Sequence, residues 1–170
     1  MPEAPVTLDR ERADLLETLA AHRGLLRRTA DGLDDEQARQ RTSASELTVG
    51  GVLRHVVAQE RIWTDFLQRG AAAHEEVTPE AFAAQFALGP DDTLAGVLAD
   101  YDAVAAATEA LVRSFDDLDT DVELPAMPWF PPGTRWSRRR VLVHLVAETA
   151  QHAGHADVVR EGIDGAKTMG

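Results

Sequence analysis

The sequence contains no cysteine, so the chain has neither a disulfide bond nor a thiol of its own to act as nucleophile or metal ligand. It also lacks a run of 18 apolar residues, and the opening stretch MPEAPVTLDRERADLL has no apolar core of the kind found in signal peptides. We therefore expect a cytoplasmic protein with no transmembrane helix and no membrane partner.

Basic residues are scarce, with 17 lysines and arginines against 29 aspartates and glutamates, and the net charge is −12. An acidic surface repels phosphate backbones, and no basic stripe offsets it. The densest basic cluster is Arg138-Arg139-Arg140, which is too short to change this balance. We expect no nucleic-acid partner.

Alternating strand patterns are nearly absent, whereas four segments repeat apolar residues at helical spacing. They predict helices over about residues 8–33, 48–69, 93–115 and 137–164, and TPEAFAAQFAL predicts a shorter helix opened by its proline. Residues 116–136 hold four prolines and three aromatic residues, which favours an ordered, non-helical loop. The pattern predicts one domain over residues 1–170, an all-α four-helix bundle with a long loop containing proline and tryptophan before the last helix.

The last predicted helix contains HLVAETAQHAGHADVVREGIDG, where possible metal ligands recur every three or four residues. The helix is apolar on most of its other sides, which is typical of burial, and a buried carboxylate needs a partner such as a metal ion. Four side chains spread over three turns cannot all reach one ion, so an adjacent pair must be joined by a ligand from another helix. At about 100° per residue, four candidates share one face: His144, Glu148, His152 and His155.

His55, in GGVLRHVVAQERIW of the second predicted helix, is the best candidate for the ligand from another helix. Three protein ligands with an open position are typical of a catalytic zinc site rather than a structural one. Histidine and glutamate four residues apart also occur on solvated helix edges and as hydrogen-bonded core pairs. Spacing alone therefore leaves a metal site and a polar edge as alternatives.

Two stretches together, LRHVVAQERIW and HLVAETAQHAGHADVVREGIDG, resemble the DinB-like superfamily of metal-binding four-helix bundles. More narrowly, the C-terminal stretch is similar to the mini-circle protein branch, whose signature has the form H-x3-E-x3-H-x-G-H-A-D. That branch is related to mycothiol-dependent S-transferases and isomerases. The resemblance covers nearly the whole chain.

In that superfamily one histidine of the second helix and an [H/E]-x3-H pair of the fourth bind a divalent metal, which implies His55, Glu148 and His152 as the ligands of this chain. Many members have histidine at the position of Glu148, while thiol-dependent relatives acting on maleylpyruvate have glutamate. His155 is then expected to support a ligand or to face the substrate, and His144 stays unassigned, with a ligand role one turn earlier as its alternative. Two imidazoles and a carboxylate suit zinc, nickel or iron(II), and we expect zinc.

The resemblance implies a metal-dependent thiol S-transferase or isomerase that uses a low-molecular-weight thiol of the mycothiol or bacillithiol type. The expected partners are this thiol and a small electrophile, and no catalytic residue beyond the metal ligands is predicted. One alternative is a non-catalytic, stress-associated metal-binding protein in which the ion only stabilises the bundle. Another is a metal-free dimerisation or binding module, and the sequence leaves open whether the protein is a monomer or a homodimer.

Several large side chains are candidates for the walls of a substrate or cofactor pocket. Arg160 is a candidate for contacting an anionic substrate, with an ordinary solvated arginine as the alternative. The aromatic candidates, for which core packing is the alternative, are Trp63, Trp129, Phe130 and Trp136.

Overall fold

A computed structural model describes residues 9–70, 78–125, 127 and 130–168 of the chain. Within these residues a one-turn 3-10 helix covers Gln37–Arg39. The remaining elements follow in the order α1 (Arg10–Arg28), α2 (Val49–Arg69), α3 (Pro79–Ala84), α4 (Leu94–Ser114), β1 (Asp121–Glu123), β2 (Arg135–Ser137) and α5 (Arg138–Asp164). The four long helices confirm the predicted all-α bundle.

Every α-helix in the described residues begins at a polar side chain that accepts a hydrogen bond from the backbone N–H three residues further on. This is the ordinary N-cap arrangement, which satisfies one of the free donors of the first turn. The capping residues are Asp9, Thr48, Thr78, Thr93 and Ser137.

Around the bundle, α1 packs against α5 and α4, and α2 packs against the same two helices. The short helix α3 and the segment after it lie against the N-terminal half of α2, where the carbonyl oxygen of Phe86 approaches the backbone of Gly51. None of the helices in the described ranges is long and apolar enough to cross a membrane.

The first helix is shorter than its sequence pattern predicts, because α1 ends at Arg28 and not at Leu33. The backbone N–H and the hydroxyl of Thr29 both donate to the carbonyl of Leu26, which tightens the last turn. Gly32 then adopts a φ of 75° and redirects the chain. Leu33 still packs against the core from this turn, which is why it continued the apolar periodicity.

The long connection before α5 is non-helical in its described part, as predicted, but it contains a short antiparallel hairpin that the sequence pattern did not indicate. Strands β1 and β2 pair with Val122 opposite Trp136. Each strand is three residues long, which is too short for the alternation of apolar and polar residues to stand out. The hairpin buries Trp136 against the bundle.

The bundle holds two clusters of buried apolar side chains, and buried polar residues lie between them along the helices. Arg23 donates through Nε to Glu60 Oε2 at 3.0 Å, and the Thr108 hydroxyl donates to Glu60 Oε1 at 2.7 Å. The hydroxyls of Thr64 and Thr108 are 2.9 Å apart. We refer to Arg23, Glu60, Thr64 and Thr108 as the buried polar layer. Because each charge in it is paired and hydrogen-bonded, the layer escapes most of the penalty for burying an isolated ion.

Candidate metal centre

His55, Glu148 and His152 lie together where α2 packs against α5. The Oε1 atom of Glu148 is 3.2 Å from Nε2 of His55 and 3.1 Å from Nε2 of His152. One ligand atom from each residue lies within 4.8 Å of the other two. Two ligands of a tetrahedral zinc ion, each about 2.0–2.1 Å from the metal, are separated by about 3.3 Å. The spacing therefore fits a shared ion after small side-chain shifts.

The two helices run antiparallel through this region. His55 of α2 contacts Glu148 of α5, and Trp63, two turns further along α2, contacts His144, one turn earlier along α5. His55 is only 3% exposed, whereas the side chains of Glu148 and His152 are 21% and 11% exposed. His55 is thus the buried member of the cluster, and Glu148 and His152 are its partly exposed members.

Glu148 is the charged member of the cluster. The hydrogen bonds that it accepts from His152 and His55 hold the pKa of this carboxyl far below its usual range, and partial burial, which acts in the opposite direction, does not offset them. An ionised carboxylate flanked by two imidazoles is a donor set that zinc and other divalent metals accept. The chemistry of the donors therefore fits the divalent metal that the resemblance implies.

Two phenylalanines that sequence reasoning missed lie over His55. The ring of Phe86 stacks on the imidazole with centroids 3.8 Å apart and planes inclined by 17°. The ring of Phe82 meets the same imidazole edge-on at 6.2 Å. The only sequence signal connected with them was the short predicted helix TPEAFAAQFAL, now α3, and nothing in its spacing related it to His55.

His155 and His144 lie beside the cluster on opposite sides. Nδ1 of His155 is 3.5 Å from Nδ1 of His152, so His152 has Glu148 at one edge of its ring and His155 at the other. His144 instead packs edge-on against Trp63, and burial lowers its pKa although the charge of Glu148 opposes this shift. The structure thus brings three of the four candidate histidines to the Glu148 carboxylate and its flanks, and places His144 in an aromatic environment.

The predicted aromatic wall lies next to His144. Trp63 and Trp136 stack with their centroids 5.0 Å apart and their planes inclined by 5°, and His144 lies 5.3 Å from Trp136. Phe130 meets the edge of Trp136 at 5.5 Å. Trp129 lies outside the described residues. Trp136 is buried, so its packing against Trp63 belongs to the core as well as to the edge of the site.

Arg160 is engaged elsewhere in the bundle. It donates through Nη1 to the backbone carbonyls of Thr29 at 2.8 Å and Asp31 at 2.9 Å, and it pairs with Asp164 at 2.7 Å. These bonds occupy its guanidinium and satisfy carbonyls of the turn that follows α1. The arrangement favours a cap at the end of α1 over contact with an anionic substrate.

A bundle of four long helices with a His–Glu–His cluster between its second and last long helices has the architecture that the resemblance to DinB-like proteins implied. The chain belongs to the mycothiol S-transferase family, whose model matches residues 14–165. This match confirms the resemblance that the two sequence stretches indicated.

Comparison with solved structures supports the same fold. The crystal structure of a conserved protein from Enterococcus faecalis superimposes with a TM-score of 0.68 at 16% sequence identity, covering 91% of this chain and 97% of that chain. At this identity the likeness concerns the fold alone. No curated protein matches the chain.

Proposed function

We propose that this protein is a divalent-metal-dependent thiol S-transferase that joins a low-molecular-weight thiol of the mycothiol type to an electrophile. The observation that carries the proposal is the convergence of His55, Glu148 and His152 in a member of the mycothiol S-transferase family. We further propose zinc as the metal, with nickel and iron(II) as ions that suit the same donors. The absence of cysteine is consistent with a co-substrate that brings its own sulfur.

A divalent ion held by three protein ligands, with one position open, lowers the pKa of a thiol that binds there and orients its sulfur. The residues of the chain shape that site. Glu148 would give the donor set a negative charge, so a thiol bound to the ion would keep more electron density on its sulfur than it would beside three neutral imidazoles. His55 holds the buried side of the cluster, and the ring of Phe86 shields it from water. His155, next to the outer edge of His152, is in a position to orient that ring by a hydrogen bond.

The metal site is tested by elemental analysis of the purified wild type beside His55→Ala and His152→Ala. His22→Ala is the matched control because it removes a histidine of α1 that is not part of the cluster. We expect stoichiometric metal in the wild type and the control, and loss of metal from the two cluster variants. Equal metal content in all four proteins would refute the site.

The transfer reaction is tested by offering the metal-loaded protein a panel of thiols with a generic electrophile and following thioether formation. We expect acceleration with mycothiol or a closely related thiol, and none from the variant His152→Ala. Full metal occupancy without acceleration by any thiol would refute the transferase and favour the non-catalytic metal-binding alternative.

A further inference from the structure

Phe82 of α3 is the one aromatic residue among the large hydrophobic side chains exposed in the described part of the chain. It is 47% exposed, and the other two such residues are Val143 and Val158. Single exposed apolar residues are common and need no explanation on their own. Phe82 differs because its ring touches the imidazole of His55 and lies 5.8 Å from the ring of Phe86.

Phe82 and Phe86, which we call the phenylalanine pair, form a continuous apolar surface that leads from solvent to the metal cluster. Phe86 covers the face of His55 and lies 6.0 Å from the ring of His152. A group resting on the half-exposed ring of Phe82 would therefore lie beside the ligands on which the proposed thiol is activated.

The segment that carries the phenylalanine pair is fastened to α2 at several points. Arg54 donates to the carbonyls of Ala84 and Ala87, the second at 3.1 Å, and Gln59 donates to the side chain of Gln85 at 3.0 Å. Phe82 is thus exposed on a segment whose backbone is held against α2 by these hydrogen bonds. The chain leaves this apolar ring facing water, and covering it would release a favourable hydrophobic contribution.

We propose that the phenylalanine pair is the docking surface for an apolar, aromatic part of the electrophilic substrate, with Phe82 as a specificity-determining residue. This rests on the proposed thiol transfer. Two aromatic rings arranged edge to face offer a third ring offset or edge-on contacts, which adds geometric preference to apolar burial. Substrates that share a reactive group are then distinguished by the ring that they carry.

Two electrophiles that differ only in a phenyl ring test the proposal: 2-chloroacetamide and 2-chloroacetanilide. In both, a bond forms between the thiol sulfur and the chlorine-bearing carbon while the carbon–chlorine bond breaks. Chloride leaves with the electron pair, and the thiol proton passes to solvent. The thiol is mycothiol, and the metal-loaded proteins are wild type, Phe82→Ala, Phe82→Tyr and the control Val158→Ala, which truncates an exposed apolar residue elsewhere on the surface.

For Phe82→Ala we expect kcat/KM for 2-chloroacetanilide to fall about tenfold through KM, a change that corresponds to about 1.4 kcal/mol. The value for 2-chloroacetamide should change less than twofold, the metal content should not change, and Phe82→Tyr and Val158→Ala should behave as wild type. Equal losses with both electrophiles, or no loss with either, would overturn the proposal.

Binding of acetanilide, which cannot react, separates this proposal from the proposed function. In a titration followed by NMR, we expect its dissociation constant to rise about tenfold in Phe82→Ala, whether or not the wild type turns over any substrate. An unchanged dissociation constant would overturn the docking surface. If the wild type binds acetanilide but accelerates the reaction of no thiol, the proposed transferase function is refuted and the docking surface is not.

Discussion

The close contact between Gly51 and Phe86 allows a sharp test of how the site is assembled. A Cβ added at Gly51 would lie 2.0 Å from the carbonyl oxygen of Phe86 and 2.7 Å from its carbonyl carbon. These are backbone atoms, which cannot rotate away as a flexible side chain can. Since packed atoms require about 3 Å or more, the segment must withdraw by about 1 Å. The variant Gly51→Ala is therefore expected to pull the ring of Phe86 away from its stacked position 3.8 Å from His55.

Two effects of opposite sign decide the stability of Gly51→Ala. Overpacking typically costs about 1–3 kcal/mol, whereas replacing a helical glycine by alanine stabilises a helix by up to about 1 kcal/mol. We expect the clash to dominate, so the free energy of unfolding in urea falls and the dissociation constant for zinc rises. The control is Gly24→Ala in α1, where no heavy atom lies within 4 Å of the added Cβ, and this variant should gain stability. Equal stabilisation of both variants, with unchanged zinc affinity, would refute the reasoning.

Glu60→Gln leaves the buried Arg23 without its charged partner and should lower the free energy of unfolding by about 3–5 kcal/mol. A loss of less than about 1 kcal/mol in a urea titration would contradict the stabilising role of this ion pair. In the metal-free protein, NMR should find the pKa of His144 below the ordinary value of about 6.5, because burial disfavours the cation. Between the lowered pKa of His144 in the folded protein and its ordinary value in the unfolded chain, the unfolded chain binds more protons. The contribution of neutral His144 to folding stability therefore declines as the pH falls through this range, and a folded pKa at or above about 6.5 would contradict the prediction. Arg160→Met removes the donor to two carbonyls after α1 and should cost about 1–3 kcal/mol; in thermal unfolding it should exceed the loss from Arg113→Met, an exposed i,i+4 pair, and an equal loss would disprove the cap.

The apolar repeats of the sequence were sufficient to predict the four long helices, because each helix buries an apolar stripe. They were not sufficient to place the end of α1, since Leu33 packs on the same core from a turn as it would from a helix. The hairpin stayed unpredicted because its strands are too short to show a pattern.

Helix geometry narrowed the candidate ligands of α5 to adjacent pairs, but the pair that meets His55 depends on how far α2 and α5 are shifted along each other. The spacing of residues within α5 gives no information on this shift, so the family resemblance was needed to indicate Glu148 and His152. Phe86 could not be foreseen because its position depends on a contact with Gly51, which is distant in sequence. The role of Arg160 could not be predicted either, because its burial and its hydrogen bonds depend on the turn after α1, which is also distant in sequence.

The first helix contributes no residue to the cluster, yet the two helices that carry the cluster, α2 and α5, are bonded to α1 and to the turn that follows it. Arg23 ties α2 to α1 through Glu60, and Arg160 ties α5 to the turn that follows α1. A slip of one residue along a helix is about 1.5 Å, whereas metal coordination tolerates about 0.2 Å. The position of His55 therefore depends on where α1 holds α2, and the position of Glu148 depends on where the turn after α1 holds α5. Small shifts of α1 are therefore expected to move His55 relative to Glu148 and to change the affinity of the proposed metal site, although α1 contributes no residue to the cluster.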